Sequence, residues 1–133
     1  MRPQTRENLL TAMHGEAFAY AKYMLFAKHA RHSGQENLAE LFERTAAIEL
    51  FEHFAEEAEL AEIVGSDAEN LQDAIAGEAY EVDTMYRQFA IQATASGDHE
   101  AAERFAEVRE DEMGHRDAFE AALKKLAIGS RTA

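Results

Sequence analysis

The sequence contains no cysteine and no tryptophan, and only one proline and seven glycines among its 133 residues. The absence of cysteine excludes disulfides, zinc–thiolate sites, iron–sulfur clusters and thiol catalysis from this sequence. Because proline and glycine are scarce, long stretches run without a helix breaker, and the abundance of alanine, leucine and glutamate favours helix. We therefore expect an all-α fold and a single domain over residues 1–133.

Positive charge is also scarce, with 13 lysines and arginines against 26 acidic residues, so the net charge at pH 7 is −13. Because this charge repels phosphate backbones, no nucleic-acid partner is expected. A negative charge does suit a protein that binds cations. The apolar runs are far too short to span a membrane, and the first residues lack the apolar core of a signal peptide. A cytoplasmic protein without a membrane partner is the expectation.

Four long helices are predicted between short breaks rich in serine, glycine and aspartate. Thr5 is a candidate cap for the first helix, and Ser66 with Glu69 has the form of a capping box at the start of the third. The first two helices are expected at about 5–32 and 35–64, and the fourth at about 98–127. The breaks are Ser33-Gly34, Gly65-Ser66-Asp67, Ser96-Gly97-Asp98 and the tail from Gly129.

The two halves of the chain, about 5–64 and 67–127, repeat each other. The first matching segments are 62 residues apart and the later ones 63, so one extra residue enters the third helix between Ala79 and Tyr86. An insertion that a helix absorbs is the signature of a π-bulge, and Glu81 lies inside this interval. The matched positions are Gly15-Glu16-Ala17 with Gly77-Glu78-Ala79, then Tyr23 with Tyr86, Phe42 with Phe105 and Glu49 with Glu112.

Glutamates occupy positions where the helical periodicity predicts core. Glu112 and His115 stand three apart on one helical face, in line with apolar residues such as Phe119. Burying a carboxylate there costs several kcal/mol unless a cation or a strong donor compensates it. One such glutamate is usually a solvated edge residue, but the repeat places one in each helix, which favours metal binding. The four are Glu16, Glu49, Glu78 and Glu112.

Di-iron and di-manganese bundles take one glutamate from each of two helices and Glu-x-x-His from each of the other two. In the second helix the position that matches His115 is Glu52, and a histidine follows at His53. Either can reach the Glu49 face, and the repeat register favours Glu52. Carboxylate oxygens with an imidazole favour iron or manganese. The predicted metal ligands are Glu16, Glu49, Glu52, Glu78, Glu81, Glu112 and His115, with the adjacent run Glu56-Glu57-Ala58-Glu59 interpreted as an exposed face.

At these residues, over about 5–127, the chain resembles the rubrerythrin family of ferritin-like proteins. The resemblance implies a ferritin-like four-helix bundle whose two iron ions react with hydrogen peroxide or dioxygen, with Tyr23 and Tyr86 close to the metals. Family members often add a rubredoxin domain with four cysteines, which this sequence lacks, so an external electron donor such as a rubredoxin-like protein is expected. The motifs are Gly15-Glu16, Gly77-Glu78-Ala79-Tyr80-Glu81, Met85-Tyr86, the Glu49 segment and Glu112-x-x-His115.

The same residues serve a ferroxidase or iron-handling protein, which is the alternative function. A metal-free helical interaction module is a third hypothesis, although glutamates in register along four helices do not suit it.

The break between the two repeats is short. A helix of ~28 residues is roughly 42 Å long, whereas the break with a frayed neighbour spans at most about 14 Å. A chain with this connection forms either an up-down-up-down bundle or a dimer in which the third and fourth helices pack against the first two of a partner. Because only the dimer keeps a two-fold relation among the glutamates, a domain-swapped homodimer is predicted.

Overall fold

The computed structural model describes the backbone of residues 1–132 and the side chains up to Gly129. Every regular element in this part of the chain is helical, so the all-α prediction is confirmed. Two of the elements are π-helical segments, here named π1 and π2. The order is α1 Pro3–His32, α2 Glu36–Ile48, π1 Glu49–Phe54, α3 Ala55–Leu60, α4 Asp67–Tyr80, π2 Glu81–Met85, α5 Tyr86–Ser96 and α6 His99–Thr132.

The chain divides into two compact units, residues 1–64 and residues 65–133, which are named hairpin 1 and hairpin 2. In hairpin 1, α1 packs along α2, π1 and α3. In hairpin 2, α6 packs along α4, π2 and α5. Each hairpin is therefore one long uninterrupted helix paired with one long helix that contains a π-segment. That residues 1–133 act as a single domain stays a prediction.

Two of the predicted breaks are glycine turns. Gly34 and Gly97 follow helix ends with φ values of 76° and 82°, a left-handed conformation that residues with a side chain rarely adopt. The predicted capping box is also present, since the Glu69 N–H donates to Ser66 Oγ at 3.3 Å and the Ser66 N–H donates to Glu69 Oε2 at 2.8 Å.

Three predicted helix boundaries were wrong. The first helix begins at Pro3 rather than Thr5, because proline at the first position already has a helical φ. The second ends at Leu60 rather than near 64, where Glu62 has a φ of 51°. There the Ile63 N–H bonds the Ala58 carbonyl at 3.3 Å, as in a glycine-terminated helix.

The fourth helix continues through Gly129 to Thr132 instead of ending near 127. A single glycine weakens a helix by roughly 0.5–1 kcal/mol relative to alanine, but it ends a helix only where the chain turns into the left-handed region. Gly129 lies inside the helix and makes no such turn.

Both π-segments lie at the level of the predicted metal ligands. The position of π2 confirms the extra residue that the repeat indicated between Ala79 and Tyr86. The segment π1 was not predicted. Its signal was nevertheless present, because His53 follows Glu49 by four residues whereas His115 follows Glu112 by three. The prediction of Glu52 as a ligand assumes a substitution at that position, whereas the structure has a second π-segment at Glu49–Phe54.

Small side chains fill the contact between the two helices of each hairpin. Met13 and Val82 are the largest among the buried apolar residues of the described chain, and the others are alanines. Larger apolar side chains remain exposed, and an aromatic triad lies partly open in each hairpin. The triads are Tyr23, Phe26 and Phe42, with ring centroids 5.4–6.2 Å apart, and Tyr86, Phe89 and Phe105, at 5.5–6.4 Å.

Candidate metal centre

Hairpin 1 brings two glutamates and a histidine together halfway along its length. Glu16 comes from α1, and Glu49 and His53 come from π1. His53 Nδ1 lies 3.0 Å from Glu49 Oε2 and 3.6 Å from Glu16 Oε2. The three potential ligand atoms all lie within 4.8 Å of one another. This group is named cluster 1.

Hairpin 2 contains the corresponding group, named cluster 2. Glu78 comes from α4, and Glu112 and His115 come from α6. His115 Nδ1 lies 3.0 Å from Glu112 Oε2 and 3.8 Å from Glu78 Oε1. The carboxylates of Glu78 and Glu112 are largely shielded, at 18% and 16% exposure, whereas His115 is more open at 58%. Both clusters therefore present an imidazole at the surface above a half-buried pair of carboxyls.

The two carboxyls of each pair shift each other's pKa in opposite directions, because two neighbouring half-buried carboxylates repel each other when both are ionised. A hydrogen bond to Glu49 raises the pKa of Glu16, and burial adds to this effect. A hydrogen bond to Glu112, with burial, raises the pKa of Glu78 to about 6. The pKa values of Glu49 and Glu112 are lowered because each accepts a hydrogen bond from its partner carboxyl and another from the nearby histidine.

The histidines complement these carboxylates. The hydrogen bond to Glu49 raises the pKa of His53, and the bond to Glu112 raises the pKa of His115. Both clusters are thus sites of concentrated negative charge, where protons and imidazolium ions compensate the carboxylates.

The donor atoms of both clusters fit a metal cation. In cluster 2, Glu78 Oε2 is buried and makes no hydrogen bond. The protein therefore provides no donor to this oxygen. An orphaned buried carboxylate oxygen is costly unless a cation or a proton satisfies it. Hard oxygen ligands combined with imidazole nitrogen suit iron or manganese.

Five of the seven predicted ligands lie in the two clusters, namely Glu16, Glu49, Glu78, Glu112 and His115. The preference for Glu52 is not supported, because its side chain is exposed and His53 takes the place beside Glu49. A π-helical turn closes on the fifth residue rather than the fourth, so residue i+4 comes closer to residue i than in an α-helix. In π1, His53 lies 3.0 Å from Glu49, while Glu52 lies outside the cluster.

Glu81 lies at the start of π2, close to cluster 2 but outside the group of three. Its charge contributes to the raised pKa values of Glu78 and Tyr86. Burial is the largest cause of the raised pKa of Tyr86, followed by the charges of Glu81, Glu112 and Glu78. The charges of cluster 2 and Glu81 thus act on Tyr86. The roles of Tyr23 and Tyr86 in a reaction stay predictions.

Glu57 is a residue of this site that the sequence interpretation missed. It is half-buried rather than exposed, its Oε2 atom is buried without a hydrogen-bond partner, and its charge contributes to raising the pKa of Glu16. Glu56, which follows the predicted apolar face, is exposed instead. The extra residue of π1 rotates the helix that follows it, and this rotation moves Glu57 toward α1.

Paired helical hairpins that each present two glutamates and a histidine at mid-length define the class of ferritin-like di-metal carboxylate proteins. The rubrerythrin family model matches residues 7–53 and 48–123 of this chain. The chain belongs to the rubrerythrin family of di-iron oxidoreductases, and its fold is the ferritin-like fold that the sequence predicted.

Named relatives extend over nearly the whole chain. Nigerythrin of Nitratidesulfovibrio vulgaris is 37% identical over 135 residues, which cover 92% of this chain and 67% of that protein. Rubrerythrin of Porphyromonas gingivalis is 35% identical over 139 residues, covering 96% of this chain and 70% of that protein. A structure of nigerythrin in its fully reduced, all-ferrous state aligns at 35% identity with a TM-score of 0.47, covering 92% of this chain and 67% of that one. None of the described helices has the length and hydropathy that a membrane span requires.

Proposed function

We propose that the protein reduces hydrogen peroxide, with dioxygen as the second possible oxidant, at a pair of iron ions held by both clusters. The observation that carries the proposal is the duplicated Glu–Glu–His geometry, with 3.0 Å between histidine and glutamate in each cluster. When bound, a diferrous pair supplies two electrons. Together with two protons, these electrons would convert one hydrogen peroxide into two waters. An external donor, such as a rubredoxin-like protein, returns the two electrons.

The chain's own residues have separate roles in this proposal. Glu49 and Glu112 would be the carboxylates shared between the two ions, while Glu16, Glu78 and Glu81 would each hold one ion and would offset the added charge of the oxidised state. His53 and His115 complete the ligand set. Tyr86, whose pKa the charges of Glu81, Glu112 and Glu78 help to raise, would lie beside the ions, and Tyr23 is its counterpart in the other triad.

A functional site needs both clusters, and we propose that they come from two chains in a domain-swapped homodimer. The connection from Ala61 to Ser66 has six residues outside the helices, which span at most about 20 Å. The helix α1 has 30 residues and is roughly 45 Å long. A two-fold arrangement of the hairpins requires the chain to travel about that length, which this connection is too short to cover.

Exposed apolar side chains support the dimer. Phe26 and Phe89, at matched places in the two triads, are 43% and 39% exposed, and Leu41 and Ile48 of α2 are 52% and 42% exposed. A second copy of the chain offers the complementary hairpin to cover them. Each site then takes Glu16, Glu49 and His53 from one chain and Glu78, Glu81, Glu112 and His115 from its partner.

The reaction is tested by mixing the anaerobically reduced, iron-loaded protein rapidly with hydrogen peroxide. We expect one peroxide to oxidise the two ferrous ions of a site, and the site to turn over repeatedly when a reductant is added. If excess ferrous iron with dioxygen instead gives continuing oxidation and a growing ferric mineral, the protein is a ferroxidase and the peroxidase proposal is wrong.

The dimer is tested by complementation between two inactive variants. A mixed dimer of Glu49→Ala and Glu112→Ala chains contains one intact site if the hairpins are exchanged, because the wild-type hairpins of the two chains meet there. Without exchange both sites are defective. We therefore expect co-refolded chains to recover iron that neither variant binds alone. A monomeric mass in solution together with full iron loading contradicts the dimer.

A further inference from the structure

The segment π2 leaves one backbone carbonyl without a backbone donor. The Tyr86 N–H bonds the Glu81 carbonyl, five residues back. When the helix returns to α-helical spacing at α5, the next N–H, that of Arg87, pairs four residues back with Asp83. Helix geometry therefore predicts that the carbonyl of Val82 is passed over in this change of register, and the donor that it does have is a side chain. Val82 is 1% exposed, and an unpaired backbone carbonyl in such surroundings is costly.

Arg109 of α6 supplies the missing donor. Its Nε donates to the Val82 carbonyl at 2.7 Å, a part-buried contact across 27 residues of sequence. Two turns further along α6, Arg116 Nη1 lies 3.5 Å from Asp83 Oδ1. The long helix of hairpin 2 therefore contacts π2 at two adjacent residues, and the shorter bond goes to the orphaned carbonyl.

Hairpin 1 has no matching arginine. Sixty-three residues before Arg109, at the offset that pairs Glu49 with Glu112, stands Ala46, which is buried. The arginine is thus an addition of hairpin 2, and hairpin 2 is also the one whose π-segment carries the extra carboxylate Glu81. Arg109 and Glu81 therefore occur in the same hairpin, and the carbonyl that Arg109 contacts belongs to Val82, the residue after Glu81.

We propose that Arg109 is a positioning residue for Glu81. By bonding the Val82 carbonyl, Arg109 holds the π-turn at residues 81–85 and so determines where the Glu81 carboxylate stands relative to Glu78 and Glu112. This inference rests on the proposed binding of two iron ions. Arg109 itself is not assigned as a ligand.

The test compares ferrous-iron titrations under anaerobic conditions for single and double variants. Arg109→Met keeps the length of the side chain but removes the donor, and we expect it to weaken binding of one of the two ions by about tenfold, as losses beside metal ligands commonly do. Arg109→Lys keeps a donor and should recover most of the affinity. The control is Arg104→Met on the same helix, which breaks only an exposed pair with Glu107.

A double variant separates positioning from general stability. If Arg109 acts through Glu81, then Arg109→Met combined with Glu81→Gln binds iron no more weakly than Glu81→Gln alone, because the two losses are the same loss. Additive losses overturn the inference, as does unchanged binding of both ions by Arg109→Met. If circular dichroism shows that Arg109→Met does not fold, Arg109→Leu, which also lacks a donor, takes its place in the same comparison. A wild-type protein that binds no iron refutes the proposed function itself, so the two failures are distinguishable.

Discussion

The two hairpins have the same Glu–Glu–His geometry but place their π-segments in different helices. In hairpin 1 the π-segment lies in the second helix and carries Glu49 and His53, whereas in hairpin 2 it lies in the first helix and follows Glu78. The histidine–glutamate distance is 3.0 Å in both. The Glu–Glu–His arrangement is thus the feature that the two hairpins share. An extra residue can be absorbed in either helix of a hairpin as long as this arrangement is kept.

The surroundings of the clusters are less alike than the clusters. Hairpin 2 has Glu81 and the Arg109 contact, while hairpin 1 has Glu57 with its unpaired oxygen. Counted from the histidines, which are 62 residues apart, the position that holds Glu57 in hairpin 1 holds Phe119 in hairpin 2. The two clusters therefore have chemically unequal surroundings, which would allow ions bound at them to differ in affinity.

The largest effect is expected from removing the matching glutamates Glu49 and Glu112, and it tests whether both clusters are needed to bind iron. Glu112→Ala and Glu49→Ala should each abolish binding of two irons per site, because each removes a proposed bridging carboxylate. Metal content per chain, measured by elemental analysis after reconstitution, decides the matter. The control is Glu110→Ala, an exposed glutamate on the same helix as Glu112. Unchanged iron in the Glu112 variant rejects the assignment.

The next prediction concerns the ligand of the second helix. His53→Gln should lower iron affinity at least tenfold, a loss of the size found when the surroundings of metal ligands are disturbed, while Glu52→Gln should leave the affinity unchanged because Glu52 faces solvent. Ferrous titrations of the two variants give the comparison directly. The reverse result restores Glu52 as the ligand and makes the Glu49–His53 contact a feature of the metal-free chain.

Removal of iron should destabilise the protein, and the pH dependence should reveal the carboxyl pairs. An ion present at a hundred times its dissociation constant stabilises by about 2.7 kcal/mol, so chelation should lower the melting temperature by several degrees. In the metal-free protein the raised pKa values of Glu16, Glu78 and both histidines contribute stability at low pH. That of Glu78 is lost as pH rises from about 4.5 to about 6, and the contribution of the histidines is lost above their ordinary value of 6.5.

The lowered pKa values of Glu49 and Glu112 act in the opposite sense, since their contribution is lost as pH falls below the ordinary value of 4.5. The metal-free protein should thus be most stable in mildly acidic solution and should weaken toward pH 8. The iron-loaded protein should show the reverse trend over that range, because protons compete with metal. Melting curves across the range that show no difference between the two forms contradict the carboxyl-pair assignment.

The smallest expected effect is a change in stability on replacing Glu57, the position that corresponds to Phe119 in hairpin 2. Glu57→Met replaces a carboxyl whose Oε2 is buried and unpaired, and it should stabilise the metal-free protein by about 1 kcal/mol. Denaturant unfolding of the chelated protein measures the change, with Glu56→Met, at an exposed neighbour, as the matched control. Equal effects in the two variants show that Glu57 has no special environment.

The class of fold, the repeat and the positions of the four central glutamates along the helices could all be predicted from the sequence. Helical periodicity and the breaks at Ser33-Gly34 and Ser96-Gly97 are local properties, and the repeat register aligned four glutamates and located π2. These signals depend on spacing along the chain, which a helix converts into direction in space.

The neighbours of the cluster residues depend on how the helices pack and could not be predicted from the sequence. A substitution at Glu52 and an insertion before His53 leave nearly the same sequence pattern, and the choice between them depends on how π1 packs against α1. The effect of the Glu57 charge on the pKa of Glu16 and the hydrogen bond from Arg109 to Val82 likewise involve residues that are far apart in sequence. Such contacts are set by the fit between helices across a hairpin, and one residue of helical rotation, about 100°, is enough to create or remove them.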